Sequence, residues 1–295
     1  MLSIPQENAT RGKLRWHLAD VLIVVGILLF VLPPMFDVAR FNWSTEQGGH
    51  GPIVLATGAW LLLREHHEAR GLRRPGNKLL GFAGLAFLLA AYVLFGVTGI
   101  LELQVAAMYA ALICAAYLLV GGPVLRALWF PIFYLAFALP PPNTVVAVIT
   151  GPPKIAISQA AVALLHTLGY PVGSSGVMIQ IAQYEVLVAA ACAGLNSLIT
   201  LSAIGLFYVY LRHRNDLMAL ISMSLVVIPV AILANFVRVI ILLLITYYFG
   251  ESAAQGFMHD FAGLVMFAAA LAAMLAVEAM YSKFKSRRSR VSHDG

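Results

Sequence analysis

Long apolar segments, set apart by basic clusters and turn formers, are what most constrains this chain. A helix needs roughly 20 mainly apolar residues to cross a bilayer. Eight stretches approach that length: 18–36, 51–63, 79–99, 101–121, 124–139, 192–211, 217–236 and 260–281. The second is short and is expected to begin nearer Trp43. The chain is 61% hydrophobic and only 11% charged, against roughly 25% charged residues in soluble domains. The sequence therefore predicts an all-α polytopic membrane protein of about eight transmembrane helices, one integral membrane domain over residues 1–295. No internal repeat, low-complexity stretch or soluble domain interrupts it. The first apolar run follows Arg11, Lys13 and Arg15 and meets Pro33-Pro34 without a small-residue cleavage site. It reads as a retained span rather than a signal peptide.

The basic residues orient these spans. Arg11, Lys13 and Arg15 precede the first; Arg64, Arg70, Arg73, Arg74 and Lys78 follow the second. Arg126 follows the fourth, Arg212 and Arg214 the sixth, and Lys283, Lys285, Arg287, Arg288 and Arg290 the eighth. With eight crossings every cluster falls on one side, which is then cytoplasmic. Both termini are expected there, with residues 282–295 as a basic tail. The net charge of +6 is explained by these loops and does not call for nucleic acid.

One stretch does not read as a span. Pro140-Pro141-Pro142 closes the fifth, and Gly151-Pro152-Pro153 is expected to break the apolar run that follows. Residues 155–168 then read as a helix that lies in the outer interface or dips into the bilayer, its apolar face interrupted by Ser158, Gln159, His166 and Thr167. Gly169-Tyr170-Pro171 and the segment from Gly173 to Gly176 read as turns. Residues 177–181 and 185–188, on either side of Ala182-Gln183-Tyr184, read as a short β-hairpin. Its second strand runs into Cys192, which leaves two readings open: a free edge that pairs with an extended substrate peptide, or a cover that seals the outer face.

Counting about 20 residues from the cytoplasmic loops brings three polar groups to the opposite boundary. Back from the Arg212–Asp216 loop lies Cys192; forward from Leu217 lies Phe236, beside Arg238; back from Lys283 lies His259. Arg238 is followed by more apolar sequence, so it is embedded rather than free in a loop. An arginine inside a membrane segment costs a few kcal/mol and is by default a functional candidate. Asn235 and Arg238 share a face at i,i+3, and Cys192 and Asn196 share one at i,i+4. Pro229 is expected to kink the seventh span. A thiol, a guanidinium and an imidazole at one membrane face supply the parts of a thioester-forming site. Cys192 would be the nucleophile, its thiol made more acidic by a neighbouring cation. His259 would carry the proton, and Arg238 would stabilise the oxyanion or orient the carbonyl. Asn235 and Asn196 are supporting candidates.

At these residues the chain resembles the exosortase/archaeosortase family of multi-pass membrane cysteine transpeptidases. Ala191-Cys192-Ala193-Gly194 resembles the family's Ala-Cys-Ser-Gly nucleophile motif. The stretch from Pro229 through Ala231-Ile232 to Asn235 and Arg238 resembles its Pro-x-Ala-Ile…Asn-x-x-Arg motif. His259, Gly263 and Phe267 resemble its His-x-x-x-Gly-x-x-x-Phe motif. The resemblance covers a core of about residues 79–280. It implies Cys192, Arg238 and His259 as a catalytic triad. It also implies membrane-anchored substrates with a C-terminal sorting signal, made of a Pro-Glu-Pro-like motif, a transmembrane helix and a basic tail. Cleavage would occur at the periplasmic face of a bacterial inner membrane, with transfer to an acceptor such as a lipid-linked glycan. Ala193 stands where the family usually has serine, which removes any hydrogen bond that hydroxyl supplies.

Other polar features carry less. Cys114 lies in the middle of an apolar run and reads as packing. Asp260 reads as a helix cap. The run Arg64-Glu65-His66-His67-Glu68 lacks the His-Glu-x-x-His pattern and reads as a solvated cytoplasmic face. No metal or other cofactor is expected. Two other functions stay open: a transporter or anion-binding protein built around Arg238, in which Cys192 would be dispensable, and an intramembrane protease that uses water as acceptor. Transporters often show paired halves, and none is visible.

Overall fold

The computed structural model describes residues 18–45, 48–175, 178–187, 195–214, 216–255, 272–273, 275–277 and 279–281. Ten α-helices carry the fold among these: α1 Leu18–Val38, α2 Gly51–Ala69, α3 Lys78–Thr98, α4 Leu101–Val120, α5 Gly122–Ala127, α6 Trp129–Leu135, α7 Asn143–Thr167, α8 Leu195–His213, α9 Leu217–Phe249 and α10 Glu251–Gln255. A small antiparallel sheet, β1 Val172–Ser175, β2 Met178–Ile181 and β3 Tyr184–Leu187, separates α7 from α8.

Five of the described helical segments are long and apolar enough to cross a membrane: Val21–Trp43, Lys78–Thr98, Leu101–Val120, Thr144–Thr167 and Leu217–Phe249. The chain is thus a membrane protein, but these are not the eight expected spans. Four coincide with expected ones, and α7 is new. The sixth is described from Leu195 onward as α8; its first residues, 192–194, and most of the eighth lie outside the described residues.

The remaining differences have local causes. The fifth expected span is two short helices broken at Leu128. Pro131 has no N–H to offer the Ala127 carbonyl and its ring crowds that carbonyl, so α5 stops there. The second does not start earlier, near Trp43; it starts at Gly51 and runs past its apolar part to Ala69. Conversely, α7 runs unbroken through Pro152 and Pro153, where a break was expected. Proline fits helical φ, and what the helix loses is two hydrogen bonds, to the Val148 and Ile149 carbonyls. Likewise α9 runs unbroken through Pro229.

Both ends of α7 are tied to one end of the bundle. The chain enters it just after Ala138, whose carbonyl accepts from Trp43 Nε1 at 3.0 Å. His50, at the start of α2, meets the Phe137 carbonyl at 3.2 Å. The chain leaves α7 for Tyr170, whose hydroxyl lies 2.9 Å from that of Tyr248 near the C-terminus of α9. The opposite end of the bundle holds the α8–α9 turn and the basic end of α2.

The α3–α4 pair shows how lipid-facing helices are held. α3 is apolar on all sides and leaves most of its side chains for the bilayer, while α4 is mostly half-buried. They close at small residues: a Cβ on Gly81 would fall 2.2 Å from Leu118 Cδ2. Cys114 donates its thiol to the Gly81 carbonyl at 3.3 Å, so it is the packing cysteine the sequence suggests. The Asn77 side chain caps α3 by accepting from the Leu80 N–H at 3.2 Å.

The sheet has one strand more than expected. β2 is central, paired with β1 from Val172↔Ile181 to Ser175↔Met178 and with β3 from Met178↔Leu187 to Ile181↔Tyr184. The segment read as a turn is β1; its Gly-Ser-Ser composition hid any alternation. Ile179 and Ile181 face the core, while Gln180 donates to Glu185 at 2.9 Å on the exposed face. The β2–β3 turn is Ala182-Gln183, with Ala182 at φ 51°, a left-handed conformation costing a non-glycine residue about 1 kcal/mol.

Candidate active site

Helix α9 builds the site. Its 33 residues span about 50 Å at 1.5 Å per residue, well beyond a hydrocarbon core of about 30 Å. The Asp216 side chain caps its start by accepting from the Ala219 N–H at 3.0 Å. Two apolar clusters grip it at different heights. Leu220, Met223 and Val227 pack with α2, α6 and α8 through Leu61, Phe130, Tyr134 and Tyr210. Val239 and Leu243 pack with α7 and the sheet through Ile157, Leu165, Ile179 and Ile181.

Asn235 and Arg238 lie between these clusters, and both are buried, at 4% and 7% exposure. Arg238 is 21 positions after Leu217, about 32 Å along the helix, where the sequence count placed the membrane boundary. More than two further turns, to Phe249, enclose it. The expectation that Arg238 is embedded in helix therefore holds. Asn235 is unusual in another way: among the described residues neither its Oδ1 nor its Nδ2 has a hydrogen-bond partner. A buried, unpaired amide costs about 1–3 kcal/mol. Groups left so in a packed interior ask for an explanation such as a catalytic role or an absent ligand. The Ser158 hydroxyl, on α7 packed beside α9, is likewise buried without a partner among the described residues. The sequence marked Ser158 only as a break in an apolar face.

Cys192 and His259 lie outside the described residues. Asn196 lies in the first turn of α8, and only its backbone is described. The elements on either side of Cys192 are β3 and α8, and both pack against α9. α10, which precedes His259 in sequence, packs on the C-terminal part of α9, where Ala254 joins Leu242 and Ile245 in one cluster with Val186 of β3. The described flanks of all three motifs thus meet α9, the helix that carries Arg238. Among the described residues no group of His, Cys, Asp and Glu is arranged to hold a metal ion.

The run from Arg64 to Glu68 on α2 is exposed at Arg64, His67 and Glu68, as expected of a solvated face, with one exception. Glu65 is not solvated but 2% exposed. Tyr210 donates to its Oε2 at 2.9 Å, and Arg214 Nη1 lies 3.6 Å from its Oε1. Arg214 also pairs with Glu68. This network fastens α2 to α8 and the α8–α9 turn, at the end of the bundle far from Arg238.

A family model described as transmembrane exosortase matches residues 43–276, well over half of the chain. The match includes Cys192, Asn196, Asn235, Arg238 and His259. No curated protein and no solved structure matches the chain.

Proposed function

The chain belongs to the transmembrane exosortase family, and we propose that it is a membrane-embedded cysteine transpeptidase. It removes a C-terminal sorting signal, a Pro-Glu-Pro-like motif followed by a transmembrane helix and a basic tail, from membrane-anchored proteins. Cys192, Arg238 and His259 carry the reaction at the periplasmic face of a bacterial inner membrane, with both termini cytoplasmic. The single observation that best supports this reading is the buried Asn235–Arg238 pair, set where the second apolar cluster of α9 begins. Burying a guanidinium in helix packing is costly, and beside an amide without a described partner it marks a place prepared for an incoming polar group.

The steps balance with these residues alone. The Cys192 thiolate attacks the scissile carbonyl, and Arg238 takes up the negative charge that develops on oxygen. The tetrahedral adduct collapses as the C–N bond breaks. The amine of the released signal leaves with a proton from His259, and the acyl group stays on sulfur as a thioester. An acceptor nucleophile gives its proton to His259, attacks the thioester and displaces the thiolate. Asn235 donates or accepts at the substrate peptide or steadies Arg238. Asn196 supports the Cys192 end from the first turn of α8.

Co-expression with a reporter bearing the three-part signal tests this reading. Transfer predicts a product lacking the signal and carrying the mass of an amine or lipid-glycan acceptor. A product with only water added would reduce the reaction to proteolysis, and an unprocessed reporter that nonetheless depends on the chain for localisation would contradict it.

A further inference from the structure

A groove of about 760 Å³ lies between α2, α4, α5 and α6, away from the Asn235–Arg238 region. Its walls are apolar: Leu112, Ile113 and Ala116 of α4, Val124 and Leu125 of α5, and Ile132 of α6. Most of these are half-buried, neither core nor fully facing lipid. Its rim is basic. His66, Arg70 and Arg73 line one end, and among the described residues no carboxylate lines any part of it. The Arg74 N–H donates to the Val120 carbonyl at 3.2 Å, which fixes the basic end beside the last turn of α4. The deep end is at Tyr109, whose hydroxyl is donated to the Ile132 carbonyl.

Length, charge and polarity then agree on one occupant. From Tyr109 to Val120 is 11 residues of helix, about 16 Å, which is half of a hydrocarbon core of about 30 Å. The groove therefore reaches as deep as one leaflet and no deeper. His66 is held as a spacer: its Nδ1 lies 2.6 Å from the Leu63 carbonyl, so that nitrogen carries the proton. Nε2 is then the acceptor for Arg70 Nη2 at 2.9 Å, leaving the remaining guanidinium donors for a ligand. The acidic residues of the same helix, Glu65 and Glu68, are taken up by Arg214 and leave the rim positive.

We propose that this groove is a binding site for an anionic glycerophospholipid of the leaflet on the basic side, with one acyl chain along α4 and the phosphate against Arg70 and Arg73. Basic pockets between membrane helices on that side suit phosphate headgroups. The lipid would wedge α2 against α4 and the α5–α6 break, where protein side chains leave a gap.

The test is native mass spectrometry of the full-length protein in detergent, titrated with dioleoyl phosphatidylglycerol, dioleoyl phosphatidylcholine or glycerol phosphate. One saturable phosphatidylglycerol per chain is expected, bound well ahead of phosphatidylcholine, with glycerol phosphate failing to compete. Arg70→Gln with Arg73→Gln should weaken it about thirtyfold, at roughly 1 kcal/mol for each arginine near a membrane surface. Ala116→Trp, which fills the groove and leaves the rim intact, should abolish it. Equal binding of the two lipids by the unaltered protein would overturn the proposal without reference to any variant's folding. So would competition by glycerol phosphate, which would show a headgroup site without a use for the groove.

Discussion

Asn235 precedes Arg238 by one helical turn, and the two are buried together where α9 passes from one apolar cluster to the next. The pair is polar, expensive and enclosed, on a helix whose other buried positions are nearly all apolar. Its neighbours in the chain's path are the elements that flank Cys192.

Removing the guanidinium is expected to remove the activity. Arg238→Gln should lower reporter processing by about 100-fold or more, the usual cost of losing one oxyanion donor. Arg238→Lys should not restore it, because a point charge on a flexible stem does not reproduce the planar fork. Processing rates measured at matched protein levels check this. Full activity in the lysine variant would show that only charge matters at this position.

Asn235→Leu separates a packing role from a functional one. The amide has no described partner, and replacing a polar group by an apolar one of similar shape is near neutral when no hydrogen bond is lost. Thermal stability in detergent should stay level or rise, while processing falls at least about tenfold, in keeping with a lost hydrogen bond near a charge. A stability loss with unchanged turnover would make Asn235 a structural residue.

At the far end of the bundle the opposite pattern is expected. Tyr210→Phe strips a hydrogen bond from the buried Glu65 carboxylate and should cost about 1–3 kcal/mol of stability. The rate constant of processing per folded molecule should not change. Adding Glu65→Gln should recover part of the loss, since a neutral amide is less costly to leave short of a donor.

The edge of β3 gives a test of substrate pairing. In a two-residue hairpin the closing pair, here Ile181 and Tyr184, is hydrogen-bonded and alternate residues face outward. Glu185→Pro then removes an outward N–H while sparing the ladder to β2. If the substrate peptide adds to this edge, processing should fall while the thermal midpoint stays within a few degrees. Unimpaired processing would leave the sheet as a cover for the core alone.

Much of this was legible in the sequence because it is local. The spans realised as α3, α4 and the first part of α9 are predominantly apolar runs of membrane length, and Arg238 announced itself by having apolar sequence on both sides. Asn235 could be placed on its face by spacing alone, but its lack of a partner needed the packed structure. The burial of Glu65 depends on Tyr210, 145 residues away, and no window along the chain contains both. Proline misled in both directions. Pro131 ends a helix that hydropathy would continue, and Pro152-Pro153 fails to end one that turn rules would stop. Strand β1 escaped because its partners, not its own composition, make it a strand.

The most direct test of the central claim is the processing of a three-part-signal reporter in cells carrying Cys192→Ala, with Cys114→Ala as control. Cys114 is a packing thiol bonded to the Gly81 carbonyl, so its loss should leave processing near normal. The account predicts that Cys192→Ala alone abolishes processing at an unchanged protein level. Continued processing by the Cys192→Ala protein would contradict the thioester mechanism and return Arg238 to a binding or transport role.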